Sequence, residues 1–163
     1  MAIPLLRTLF LALAISGLLD SSCRAGYGHQ TLVVEADYDA ESVCRWIERN
    51  VDAIQENSGA KILATHGSVV TVQIETKYGT QTFRIRRSGQ RGDYRASFVD
   101  RSTGTLTNYA YRIQVTSLEG RRSQIEITMT AFSEDANGVA VNIALRKSLR
   151  LMRTFLEQSL TKE

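Results

Sequence analysis

Side chains that could do chemistry are sparse in this 163-residue chain. It has two histidines, His29 and His66, and two cysteines, Cys23 and Cys44. A structural or catalytic metal needs three or four ligands at characteristic spacing, and nucleophilic catalysis needs a nucleophile with a base beside it. Neither pattern is present: there is no His-Glu-x-x-His, no Gly-x-Ser-x-Gly and no phosphate-cradling glycine loop. His29 is expected in a tail near the start of the mature chain and His66 at a hairpin end. Cys44, on a helix, reads as a small buried hydrophobe. No metal and no cofactor are expected, and no catalytic residue is assigned.

A richer set is apolar. Phe83, Tyr94, Phe98, Tyr109, Tyr111 and Met129 recur at alternate positions of successive segments. Leu145, Leu149 and Met152 follow at helical spacing. Brought together, these nine would line a hydrophobic pocket, with tyrosine hydroxyls to orient a lipid or aromatic small molecule. The same residues at strand spacing are also what a filled core is made of. Arg84, Arg86, Arg87, Arg91 and Arg95 form a second cluster. They read as an anion-attracting patch on the outer sheet face, or as a solvated face balanced by Glu75 and Glu126.

The elements that must position these residues follow from periodicity. Residues 31–38 read as a strand. Asp39 is an N-cap candidate for a helix over 40–57, with Val43, Ile47, Val51 and Ile54 on one stripe. From residue 61 the period changes from 3.6 to 2. Strands are expected over 61–66, 69–77, 81–87, 93–99, 107–117 and 122–132, joined by short connections, most of them bearing glycine. Each strand alternates apolar and polar residues, so each has one buried face, and the short connections imply antiparallel hairpins. A final helix over 139–160 carries Val141, Leu145, Leu149, Met152, Leu156 and Leu160 on one side. Six consecutive strands need a cover for their apolar face, and that helix is the long apolar element available.

Hydrophobic residues make up 43% and charged residues 23% of the chain, an ordinary globular balance. Residues 1–25 read as a signal peptide: Arg7 supplies the positive region and residues 9–19 the apolar region, which Asp20 ends. That run is too short to span a bilayer permanently. Cleavage after Ala25 would leave residues 26–163 as one domain, exported to the periplasm or secreted. Lipid anchoring through Cys23 is the lesser alternative, since Asp20-Ser21-Ser22 lacks the leucine such a signal carries. The full chain has a formal charge of +3, and removing Arg7, Arg24 and Asp20 leaves +2. The charges are interleaved in sign, which argues against nucleic acid as a partner. No membrane span is expected after removal of the signal, and a protein partner is not identifiable.

The order β-α-β6-α, closing on the stretch Val139-Ala140-Val141-Asn142-Ile143-Ala144-Leu145-Arg146-Lys147-Ser148-Leu149, resembles the helix-grip fold of the START-like superfamily, also called SRPBCC or Bet v 1-like. The resemblance covers residues 31–160. It extends to no particular branch: the proline that many members carry after the first strand is absent, and Trp46 sits mid-helix. It implies an α+β domain, a curved antiparallel sheet of about seven strands around the C-terminal helix. It also implies a cavity between sheet and helix, used in the superfamily for hydrophobic ligands. Three readings follow. The first is an exported module that binds a small hydrophobic ligand. The second is an envelope interaction or structural protein with a filled core, meeting a partner through its sheet exterior or Trp46. The third is a cyclase- or hydrolase-like enzyme of the same superfamily. N-terminal sequencing of the exported protein should return Gly26 as the first residue; an acylated Cys23 or an unprocessed chain would contradict this reading of the leader.

Overall fold

The structure, a computed structural model, describes residues 25–77 and 79–161. The expected signal peptide, Cys23 included, lies outside the described residues apart from Ala25. Seven strands and two α-helices follow in the order β1 (Gly26–Ala36), α1 (Ala40–Glu56), β2 (Ala60–His66), β3 (Val69–Thr76), β4 (Gly79–Gln90), β5 (Asp93–Thr103), β6 (Leu106–Leu118), β7 (Arg122–Ser133) and α2 (Gly138–Leu160). One antiparallel sheet holds all seven strands in the order β1-β7-β6-β5-β4-β3-β2.

Register places the apolar residues opposite one another on a single face. Val70 faces Ile85 and Val72 faces Phe83 across β3 and β4. Tyr111 faces Met129 and Ile113 faces Ile127 across β6 and β7. Leu32 and Val34 extend that face onto β1 opposite Ile127 and Ile125. A shift of one residue would turn all of them to water. The core lies between this face and α2, whose Val141, Leu145, Leu149, Met152, Leu156 and Leu160 are all buried.

The first strand begins five residues earlier than the pattern of apolar residues indicates, and His29 is a paired strand residue opposite Thr130 rather than part of a tail. Two glycines make this possible. A Cβ on Gly26 would sit 2.2 Å from the backbone nitrogen of Gly138, and one on Gly28 would sit 2.6 Å from Val141 Cγ1. The strand can therefore lie directly against the start of α2. Asn142 on α2 then seals the free edge of β1: its Oδ1 accepts from the His29 backbone N–H at 3.0 Å and from Gln30 Nε2 at 2.7 Å. Covering an edge in this way satisfies donors that would otherwise recruit another strand.

Helix α1 starts at an Asp39 N-cap, whose carboxylate accepts from the Ser42 N–H at 2.9 Å. It runs as one element but kinks at Asn50, whose side-chain amide donates to the Trp46 carbonyl at 2.8 Å. Polar contacts pin it to the sheet. Arg91, in the β4–β5 turn, reaches Glu48 through two hydrogen bonds of 3.1 and 3.2 Å. The Tyr94 hydroxyl donates to Glu48 at 3.2 Å.

On the outer face, Arg95 of β5 stands directly opposite Arg112 of β6, an arrangement of like charges that would destabilise the pair. Asp93 resolves it by accepting two hydrogen bonds from each arginine, at 2.7 and 2.9 Å from Arg112 and 3.2 and 2.6 Å from Arg95. Those bonds, Arg112 first, hold the Asp93 carboxyl well below its ordinary value of 3.8 against the opposing effect of burial. A depressed carboxylate contributes stability above its unfolded pKa and loses it as the pH falls through the folded one. Asp93→Asn should therefore be less stable than wild type at pH 7 in urea titrations, with the gap closing as the pH drops below 3.8. A pH-independent gap would contradict this. In the core, Leu156→Ala should cost about 2–5 kcal/mol, whereas Val139→Ala on the exposed side of the same helix should change stability by less than about 0.5 kcal/mol. Equal effects would mean that α2 is not gripped by the sheet.

Candidate functional site

The apolar space between α2 and the sheet is not completely filled. A cleft of about 640 Å³ lies between the first half of α2 and the ends of β3, β4, β6 and β7. Its walls are largely built from small side chains. Ala131 on β7, Ala136 in the loop before α2, and Ala140 and Ala144 on α2 leave volume that larger residues would occupy. Ile74, Leu106, Tyr109, Met129, Val141 and Leu145 complete the apolar lining. Ile143 and Leu151, at 61% and 42% exposure, line it from the open side of α2, with Glu75, Lys77 and Lys147 around them.

Of the nine residues expected to line a cavity, Tyr109, Met129 and Leu145 do so. The other six are elsewhere. Phe83 is fully buried, packed on Tyr109 with ring centroids 5.2 Å apart, and Phe98 stacks on Phe83 at 6.1 Å. Tyr111 meets Tyr109 edge-on at 6.4 Å and is also buried. Leu149 and Met152 lie one and two turns further along α2, in the closed part of the core. Tyr94 is at the α1 side, where its single O–H is shared between the Cys44 carbonyl at 3.3 Å and Glu48 at 3.2 Å.

One end of the cleft is polar. Gln81, at the start of β4, is 5% exposed. Its Oε1 accepts from the backbone N–H groups of Thr105 at 2.7 Å and Leu106 at 3.1 Å, tying the β5–β6 turn to β4. Gly104 makes this possible. Its φ is +93°, and a Cβ there would lie 2.1 Å from that same oxygen. Thr105 and Ser133 share a hydrogen bond of 3.0 Å beside it. Beyond Ser97, β5 pairs only with β4, so the sheet parts where this turn closes it.

Burial pushes the Tyr109 hydroxyl above its ordinary value of 10.0, so at neutral pH it is a neutral donor. Tyr111 is raised by burial as well, with Arg87 opposing the shift. Among the described residues no three of His, Cys, Asp and Glu are grouped to hold a metal. His66 is exposed at the end of β2 and does not line the cleft.

The arginine cluster does not form a single outer patch. Arg84 is paired with Asp100, Arg95 with Asp93 and Arg91 with Glu48. Arg87 continues the inward alternation of Phe83 and Ile85 and lies beneath α1, donating to Asp52 at 2.5 Å and to Gln55 Oε1 at 2.6 Å. Two acceptors thus receive the partly buried guanidinium, although its Nε is buried without a partner among the described residues. Trp46 is half-buried, tilted against Phe155 of α2 at 5.7 Å, and borders a groove of about 480 Å³ with Arg45 and Arg49.

No family model matches the chain, and no curated protein does. Solved structures do. A START superfamily protein from Mycobacterium smegmatis superposes with a TM-score of 0.63 at 14% identity, over 83% of this chain and 97% of that one. XoxI from Bacillus cereus gives 0.53 at 20% identity, over 81% and 98%. Ara h 8.0201 gives 0.51 at 10% identity, over 82% and 99%. These likenesses favour no branch over another. The chain has the START-like helix-grip fold, an α+β domain in which a seven-stranded antiparallel sheet curves around a long C-terminal helix.

Proposed function

We propose that this protein is an exported helix-grip module that binds a small hydrophobic ligand in the cleft between α2 and the sheet. The cleft carries the reading. Its volume of about 640 Å³ falls within the range of small-molecule sites, which runs from roughly 300 to 1,000 Å³. Its walls are apolar with a few polar groups at one end, the composition such sites share. Leaving this space unfilled forgoes packing energy that larger side chains on α2 would supply. Exposed Ile143 and Leu151 at its border fit the entry of an apolar molecule. The fold supports the same reading, since the superfamily it resembles uses this space for hydrophobic compounds. The leader, with Arg7 and the apolar run over 9–19, supports export.

The filled-core alternative requires larger side chains where Ala131, Ala140 and Ala144 stand. The enzyme alternative requires ionisable groups deep in the cleft. Tyr109 is the one such side chain in its buried wall, because Glu75, Lys77 and Lys147 are exposed.

Native mass spectrometry of protein expressed from the full chain should show one bound small molecule, or binding of added 2-ethylnaphthalene or 2-acetylnaphthalene. Ala144→Trp, on an exposed position of the cleft wall, should lower that binding at least about tenfold while leaving the melting temperature within a few degrees. A wild-type protein that arrives empty and takes up neither naphthalene would overturn the proposal.

A further inference from the structure

A ligand that fills the cleft must meet the polar groups in its wall, and these are not neutral in what they can exchange. Gln81 Oε1 is identified as oxygen by its partners: two backbone N–H groups donate to it, which only an acceptor can receive. The other half of the carboxamide is therefore the NH₂ group, with two donors. Neither meets a protein acceptor among the described residues, although Gln81 is 5% exposed and lines the cleft. The amide has no freedom to flip, because turning it would aim NH₂ at the Thr105 and Leu106 N–H groups.

Tyr109 presents a second donor. Its hydroxyl is in a residue 3% exposed, lines the same cleft and meets no protein partner among the described residues. The two donors line the same cleft, with Phe83 behind them. Gln81 and Phe83 are adjacent on the inner face of β4, and the Phe83 ring lies 5.2 Å from the ring of Tyr109. Thr105 and Ser133, beside Gln81, bond each other at 3.0 Å and so hold that end of the wall. Both atoms open onto the cleft, since neither is among the side-chain atoms that are themselves buried without a partner. A ligand that fills the cleft shuts them off from water and must supply an acceptor in its place, because a donor buried without one costs free energy.

We propose that the ligand of this cleft carries a hydrogen-bond acceptor, a carbonyl or carboxylate oxygen on an otherwise apolar body, received by the Gln81 amide and the Tyr109 hydroxyl. The inference rests on reading the cleft as a ligand site and adds the chemical class. A pure hydrocarbon of the same shape would leave both donors buried and unpaired, and a site built around donors rejects such an analogue.

The test compares 2-acetylnaphthalene with 2-ethylnaphthalene, which differ by a carbonyl in place of a methylene, using fluorescence titration of the full-length protein. Wild type should bind the ketone at least about tenfold more tightly. Gln81→Glu keeps an oxygen for the Thr105 and Leu106 N–H groups but replaces NH₂ by a second acceptor oxygen, so the ratio of the two affinities should fall toward one. Tyr109→Phe removes a hydroxyl and leaves the ring, and should lower the ratio severalfold; it serves should Gln81→Glu fail to fold. Equal binding of the two compounds by wild type overturns this inference and leaves the ligand-site reading standing. A preference that survives Gln81→Glu and Tyr109→Phe also overturns it. Binding of neither compound also overturns this inference, and where the protein arrives without a bound molecule as well, it overturns the ligand-site reading itself.

Discussion

Everything else in this domain depends on α2 lying in the concavity of the sheet. Six residues at helical spacing, from Val141 to Leu160, are buried against the inner face of seven strands. An amphipathic helix of this length has no comparable stability alone, because its formation depends on burying its apolar face. The sheet, likewise, has an apolar face that water would otherwise meet. Each element supplies the cover the other lacks. The glycines of β1 and the Asn142 contacts bring the sheet edge against the start of the helix, and Leu160 fixes the other end through its carbonyl, which accepts from the Asp37 N–H at 3.0 Å.

The cleft is a consequence of where that grip is tight and where it is loose. Toward the C-terminal half of α2, Leu149, Met152 and Leu156 are buried and line no part of the cleft. Toward the N-terminal half, Ala140 and Ala144 face the sheet ends across open volume. At that end the sheet itself parts, since β5 leaves β6 after Ser97 and Gln81 bridges the turn. A loosely closed end with a donor-bearing wall suits reversible capture of a small molecule, while the tight end supplies the stability that such an opening costs.

Much of this was legible in the sequence because it is encoded locally. The stripe on α2 is read from 3.6-residue spacing, and the strand faces from alternation. What was not legible depends on distant partners. Residues 26–30 lack an apolar run, and they pair with β7 as a strand while two glycines let the start of α2 approach closely. Arg87 looks like a solvent residue until Asp52 and Gln55 arrive from α1 to receive it. The cleft is the instructive case. Large side chains such as Phe83 and Met152 pointed to a lining, but they fill the core, and the cleft is set mainly by alanines, whose type carries no signal of open volume. Gln81 was missed because a glutamine on a strand is ordinary; its role comes from the turn at Gly104, which is remote in sequence.

The most direct test of a helix gripped tightly at one end and loosely at the other is a crystal of the protein pressurised with xenon, which enters apolar space that side chains leave open. The account predicts xenon density bounded by Tyr109, Met129 and Leu145, and none among Leu149, Met152 and Leu156. Side chains closing the space beside Met129, with no xenon there, would contradict it.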